Sequence, residues 1–348
     1  MKKNLFFMVI SLLVIIAVFS GCSSGEKKSL YLYNWSDYID EELVTAFTEE
    51  TGIKVITDYF DSNESMYAKL RSGADGYDIV FPTSYMVEIM RLGDLLQDIE
   101  HSKLPNLKNL DPKFTALSVD DEMEYSVPYM VSTTGIGYLG SELGELDSIS
   151  WDIFSNPAYA GKMTMLNDVR ETLGAALKYL GYSYNSRSAT ELEEAGDLLI
   201  KWKNNLAKFE NDQYKNGLVS SEFTVSQGYS GDILQVQEER EDLHFIIPRE
   251  GTSISIDNMV ILKNAKNKDE AYAFIDYMLR PEVAAQNIEY VYYLAPNKEA
   301  YKLLDEVILE DPAVFISDEV IENSEILLDL GDDNDLYNRV WDRVKSAR

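Results

Sequence analysis

Asp168 and Glu171 stand three residues apart in "NDVRET", a spacing from which several chemistries can be built. If a strand runs into a helix here, one helical turn aligns the two carboxyls. Such a pair can serve as the acid and the nucleophile of a glycosidase. It can equally be an N-cap with an acid well placed for the helix dipole, or an anionic clamp for an ammonium group. Taken alone, capping is the simplest of the three. A second group, "LYNWSDYID", sets Trp35, Ser36, Asp37 and Tyr38 side by side. Aromatic faces next to a carboxylate suit an organic cation, though they also suit an ordinary buried turn. Thr83 and Tyr85 in "PTSY", Asp257 in "SISIDNM" and Tyr293 in "YVYYLAPN" extend the series. The glycines of "QGYSG" place Tyr229 in a loop that allows close approach. Any one of these rings is more often core than site; it is their combination with acids that argues for a site.

Other chemistries lack their residues. "NPAYAGKM" offers only Gly161-Lys162 where a phosphate-binding loop needs a leading Gly and a Ser or Thr after the Lys, so ATP hydrolysis is not expected of this chain. His101 and His244 are the only histidines, too few for a histidine-rich zinc site, and a Ser-His-Asp arrangement lacks its nucleophile elbow. "DLGDDNDLYN" misses the spacing of a calcium loop and reads as a solvated acidic turn before the last helix. No metal and no cofactor are expected.

These residues need elements to hold them. "LYLYNW", "IKVITDYF" and "YDIVFPTSY" read as strands, the last ended by Pro82. Between them lie "EELVTAFTEETG", capped by Asp40, and a helix from about Asn63 to Arg71. Strand and helix alternating at these lengths predict a parallel α/β sheet. In such sheets ligands collect beyond the carboxyl ends of the strands, which points Trp35, Asp37, Tyr38, Thr83 and Tyr85 toward one crevice. Later, "KMTMLND" reads as a strand, "VRETLGAALKYLG" and "SATELEEAGDLLIKWKNNL" as helices, "LHFIIP" and "SIDNMVIL" as strands, and "DEAYAFIDYML" as a helix.

The chain opens with Lys2 and Lys3, an apolar run from Leu5 to Phe19, and small residues before Cys22, the only cysteine. This is the pattern of an export signal over residues 1–21. "FSGC" resembles a bacterial lipobox, with Phe19 where Leu is usual; the resemblance implies lipidation of Cys22 and a tether over residues 22–28. With no second cysteine the exported body must fold without disulfides, as a chain of this length can. Removing Lys2 and Lys3 takes the net charge from −29 to −31. That acidity speaks against nucleic acid and is compatible with cationic ligands.

The stretches "LYNWSDYI", "TGIKVITDYFDSNESMYAKL", "YDIVFPTSYMVEIM", "YSVPY", "TGIGY", "NDVRETLGAALKYLGYS", "IDNMVILKNAKNKDEAYAFIDYMLRPEVA" and "APN" resemble, in order, the polyamine-binding proteins of spermidine/putrescine ABC transporters. The resemblance implies a two-lobed α/β fold of the periplasmic-binding-protein type (type II), each lobe a mostly parallel sheet flanked by helices, with a ligand cleft between. It implies lobe 1 over 29–133 and 256–305 and lobe 2 over 134–255 and 306–348. The ammonium-holding acids would be Asp37, Asp168, Glu171 and Asp257. Trp35, Tyr38, Tyr85, Tyr229 and Tyr293 would form aromatic walls, and Ser36 and Thr83 polar contacts. Ser255 stands where spermidine binders of this family tend to have Trp, Leu327 where they have Gln, and Tyr229 replaces another Trp; "WSDY" looks closer to the putrescine type. The implied protein is a monomeric, lipid-anchored, extracytoplasmic receptor that hands a polyamine to a permease driven by a separate ATPase. The carboxylate-dependent hydrolase stays as a rival, as does a binding protein for a sugar or amino acid. For the latter only Arg170 is near the acids, and it reads as their structural partner.

Overall fold

The computed structural model describes residues 28–347; the export segment, Cys22 and most of the tether lie outside the described residues. Ten strands form one mixed, crossing sheet. β1 (Ser29–Trp35), β2 (Lys54–Phe60) and β3 (Ile79–Val80) make a parallel set with β1 in the middle. β5 (Met163–Met165), β6 (Leu206–Phe209) and β7 (Val225–Tyr229) make a second parallel set with β5 in the middle.

The two sets are joined by strands that the sequence patterns do not mark as long crossings. β4 (Val127–Leu139) and β9 (Ser253–Ile261) are buried along their whole length and pair antiparallel. β9 also pairs antiparallel with β3. The partner of β4 changes abruptly: Thr133 is opposite Ile254 of β9, and Thr134 is opposite Tyr229 of β7. The far half of β4 also pairs with β8 (Leu243–Ile246), and a short return strand, β10 (Glu325–Ile326), adds to β9. The alternation expected of a parallel α/β chain thus holds within each set, while the strands between the sets run antiparallel. The fold is two-lobed, with the crossing strands between the lobes.

Local chemistry sets the helices. α1 (Glu41–Thr51) starts where the Asp40 side chain accepts the Glu42 N–H and stops at Gly52, whose φ of 73° suits a residue without Cβ. α2 (Asn63–Arg71) starts from Ser62 in the same way, and α3 (Ser84–Leu92) follows Thr83 directly. α4 (Val169–Tyr179) is capped by Asp168. α5 (Ala189–Lys203) is capped by Ser188, which accepts the Glu191 N–H. Its Leu192, Ala195, Leu199 and Trp202 are fully buried at the spacing of one helical face. Trp202→Ala would cost about 3–5 kcal/mol there. α6 (Gln213–Ser220) and α7 (Ser230–Gln237) flank β7, and α8 (Lys268–Met278) and α9 (Pro281–Val291) cover the first set. One apolar core gathers Leu30, Leu32, Phe47, Ile256 and Phe274; another gathers Trp151, Leu173, Leu199 and Trp341. The turn around Asp332 forms a short helical turn leading into α10 (Asn334–Ser346).

Candidate functional site

Four parallel strands end at one cleft. Trp35 closes β1, Thr83 follows β3 and opens α3, Asp168 follows β5 and opens α4, and Tyr229 closes β7. Tyr229 is therefore the last residue of a strand and leads into α7; it is not in a loop, because the pairing of Gly228 and Tyr229 with β4 continues to the strand end. The cleft has a volume of about 680 Å³, in the range of small-molecule sites. Six acids line it (Asp61, Asp168, Glu171, Asp212, Asp232, Asp257), against two lysines (Lys69, Lys215). Eight rings line it too: Tyr33, Trp35, Tyr38, Tyr59, Phe60, Tyr85, Tyr229 and Tyr293.

Successive odd residues of β9 share one face. Ser253, Ser255 and Asp257 therefore form a row, with roughly 13 Å of strand between its ends. At one end Asp257 accepts Thr83 Oγ1 at 2.6 Å on Oδ1 and Tyr38 Oη at 2.6 Å on Oδ2. Asn63 holds Thr83 from behind, donating Nδ2 to Oγ1 at 3.1 Å and accepting the Thr83 N–H at 3.2 Å. At the other end Ser253 donates to Glu171 Oε2 at 2.6 Å, and Thr134 donates to the same oxygen at 2.9 Å.

Asp257 has no fixed counter-ion, and the only cation acting on Asp168 and Glu171 is Arg170. Burial pushes Asp257 up to about 6, even though the Thr83 and Tyr38 hydroxyls pull the other way, and no cation contributes. Burial, followed by the charge of Asp168, pushes Glu171 up to about 7. Asp168 is raised by burial as well, despite accepting the Arg170 N–H at 2.8 Å and the Glu171 N–H at 3.0 Å. Keeping three acids buried with so little positive charge beside them is costly, and clustered perturbed acids in a cleft mark a functional site.

The rings are held as firmly. Trp35 donates its indole N–H to the Phe81 carbonyl at 2.8 Å and tilts over Phe60, with centroids 4.3 Å apart. Tyr38 meets Tyr293 edge-on at 5.0 Å. Tyr85 donates to Glu64 Oε1 at 3.1 Å. Gly231 lets the Tyr293 ring lie flat against the start of α7, since a Cβ there would come within 2.5 Å of it. Ser36 is exposed at the rim but still lines the cleft, as do Ser255 and the buried Leu327.

Asp37 is the expected acid that the fold turns away from the lining. Its φ of 51° is left-handed, a conformation Asp tolerates better than most residues. Its side chain is 62% exposed and pairs with Lys215 Nζ at 2.9 Å. Arg170 acts on the neighbouring acids Asp168 and Glu171 through its charge, as expected of a structural partner, but not through a hydrogen bond. Its guanidinium donates to the Leu328 carbonyl and to Asn185 Oδ1, both at 2.8–2.9 Å, and so braces the segment leading from β10.

A family model for bacterial extracellular solute-binding proteins matches residues 42–316. The chain belongs to this family. It is 36% identical to the spermidine/putrescine-binding periplasmic protein of Escherichia coli (strain K12) over 330 residues, 94% of this chain and 95% of that one. It is 35% identical to the putrescine-binding periplasmic protein of the same organism over an alignment of 367 positions, 100% of this chain and 99% of that one. The solved structure of a putative spermidine/putrescine ABC transporter from Listeria monocytogenes superposes with a TM-score of 0.87 at 38% identity, covering 92% of this chain and 100% of that one.

In this solute-binding protein several lining groups went unread in the sequence, Asp232 and Lys215 among them. Asp232 sits in the first turn of α7 and accepts Tyr293 Oη on Oδ1 and Tyr214 Oη on Oδ2, each at 2.7 Å. An acid directly after "QGYSG", at a strand-to-helix junction like that of Asp168, was the signal available. Lys215 gave none, because a lysine on a short helix looks like any solvated face. Among the described residues no helix is long and apolar enough to cross a membrane, and no group of three or more His, Cys, Asp or Glu could hold a metal ion.

Proposed function

We propose that this solute-binding protein captures a polyamine, putrescine or spermidine, between its lobes and delivers it to the membrane permease of an ABC importer. The observation that carries the reading is the set of buried acids raised by burial, Asp257 on one side with no cation beside it and Asp168 and Glu171 on the other with only the charge of Arg170 acting on them, between aromatic walls. A protonated amine needs charge-assisted acceptors for its nitrogens and flat apolar faces for its methylenes. A cation over a ring gains about 0.5–2 kcal/mol, more when desolvated. Trp35, Tyr38, Tyr85, Tyr229 and Tyr293 are the walls in this reading, with Ser36 and Thr83 as polar contacts; Asp37 acts from the rim.

Closure follows from the same contacts. Acids and rings on two lobes surround one ligand only when the lobes are together, so the ligand favours that form by its differential contacts. The change of partner along β4 between Thr133 and Thr134 supports lobe 1 as 29–133 and 256–305, and lobe 2 as 134–255 and 306–348. The protein acts as a monomer held to the membrane by a lipid on Cys22, and radiolabelled palmitate incorporation lost in Cys22→Ala tests that anchor. No bond is made or broken in the cleft; turnover of aryl glycosides abolished by Glu171→Gln would replace binding with hydrolysis.

Calorimetric titration of the mature chain with putrescine, spermidine and lysine is the decisive experiment. Heat from the polyamines and none from lysine, whose carboxylate faces an acidic cleft, is expected. Binding of lysine alone would overturn the reading.

A further inference from the structure

Of the two lysines that line the cleft, Lys69 pairs with Asp58 on the exposed side, and Lys215 is the buried one, a cation that a receptor for cations does not require. Its side chain is 11% exposed, and its Nζ lies 2.9 Å from Asp37 Oδ2 and 3.5 Å from Asp212 Oδ1. Burial pulls this ammonium toward neutrality, but Asp232, Asp37 and Asp212 together hold its pKa above the ordinary value. Asp232 itself has both oxygens engaged by tyrosine hydroxyls. The acids at this end of the cleft are thus served by groups of the protein, among them a full positive charge. At the β9 face, Asp257 and Glu171 have only hydroxyl donors.

Like charges a few ångströms apart in a partly buried site repel far more than they do in water. A ligand ammonium is welcome at Asp257 and at Asp168–Glu171, and meets a fixed ammonium if it reaches toward Asp37 and Asp212. We propose that Lys215 is a specificity-determining residue: its ammonium takes the place that a third ligand ammonium would occupy, so the cleft favours a diamine over a longer polyamine. This rests on the polyamine reading above. Building selectivity from a repulsive element is a general device, and here the element comes from α6, while its main partner, Asp37, follows β1.

The test is calorimetric titration of the mature chain and of Lys215→Met, Lys215→Gln and Lys215→Arg with putrescine and with spermidine. Removing the charge in Lys215→Met or Lys215→Gln is expected to shift the ratio of the two affinities at least tenfold toward spermidine, and Lys215→Arg to keep the parent ratio. The glutamine variant keeps a polar side chain of similar reach, so a folding failure of the methionine variant leaves the experiment intact. A ratio unchanged within threefold, including an equal loss for both amines, would overturn the inference and reduce Lys215 to a clip on Asp37. A parent chain that binds neither amine overturns the polyamine reading itself, and the inference with it.

Discussion

Asp257 concentrates the argument at the scale of single residues. It is 7% exposed and held only by hydroxyls, so its charge is worth most when a ligand cation arrives. Asp257→Ala is expected to weaken polyamine binding by about 2–5 kcal/mol, the range for truncating one partner of a buried charge pair; titration calorimetry reads this directly. The pH dependence follows in sign. Asp257 at about 6 and Glu171 at about 7 lie above the usual carboxylate range, so at pH 5–6 the ligand-free fold holds protons that the unfolded chain has released. Their contribution to stability is present below the ordinary carboxylate range and is lost as pH rises through 6 to 7. Binding runs the other way, since an ammonium needs both groups ionised. Affinity should rise between pH 5 and 7, by about tenfold per pH unit for one group that must lose its proton. Titrations at pH 6 in buffers of different ionisation enthalpy should report net proton release, and no release would contradict the assignment.

At the scale of elements, the ambiguity of "NDVRET" resolves into both roles at once. Asp168 Oδ1 caps α4 through two backbone N–H groups, and the residue also lines the cleft. Two substitutions separate the roles. Asp168→Asn keeps a capping oxygen and should leave the melting temperature nearly unchanged while weakening polyamine binding tenfold or more. Asp168→Ala should in addition lose about 0.5–2 kcal/mol of stability through the cap, read by denaturant unfolding. Equal loss of stability in both variants would make the charge structural. The long strand β4 shows why elements were harder to read than residues. Its thirteen residues are all buried, so the alternation that reveals a half-exposed strand is missing. Pro128, Gly135 and Gly137 break its pattern further. Pro128 lies where the register with β9 shifts, a place where a missing N–H is tolerated. A Cβ at Gly135 would come within 2.4 Å of the Phe245 ring.

For the whole molecule, the arrangement is a cleft between two sets of parallel strands joined by β4 and β9. Contacts such as Lys215–Asp37 and Gln235 Nε2 to the Val291 carbonyl, at 2.9 and 2.8 Å, tie the two sides near the mouth. Saturating polyamine should lower the radius of gyration in small-angle scattering, and Asp257→Ala should blunt that change at the same ligand concentration. A radius unmoved by a bound ligand would remove closure from the mechanism. Ionic strength is a further lever, although acids buried in the cleft are screened less than surface charges.

The first three strands with the helices between them, the caps at Asp40 and Asp168, and many of the groups that line the cleft were legible in the chain, because each depends on neighbours a few residues away. The acids and rings at the strand ends could be named for the same reason: parallel strands deliver their carboxyl ends to one edge. Which of those acids line the cleft was settled only by tertiary contacts. The left-handed turn at Asp37 swings that carboxylate out to a lysine 178 residues away, while Asp232 becomes part of the wall through tyrosines 18 and 61 residues distant. Local periodicity reports on a residue's own element, and charge pairing across a cleft depends on how separate elements are brought together.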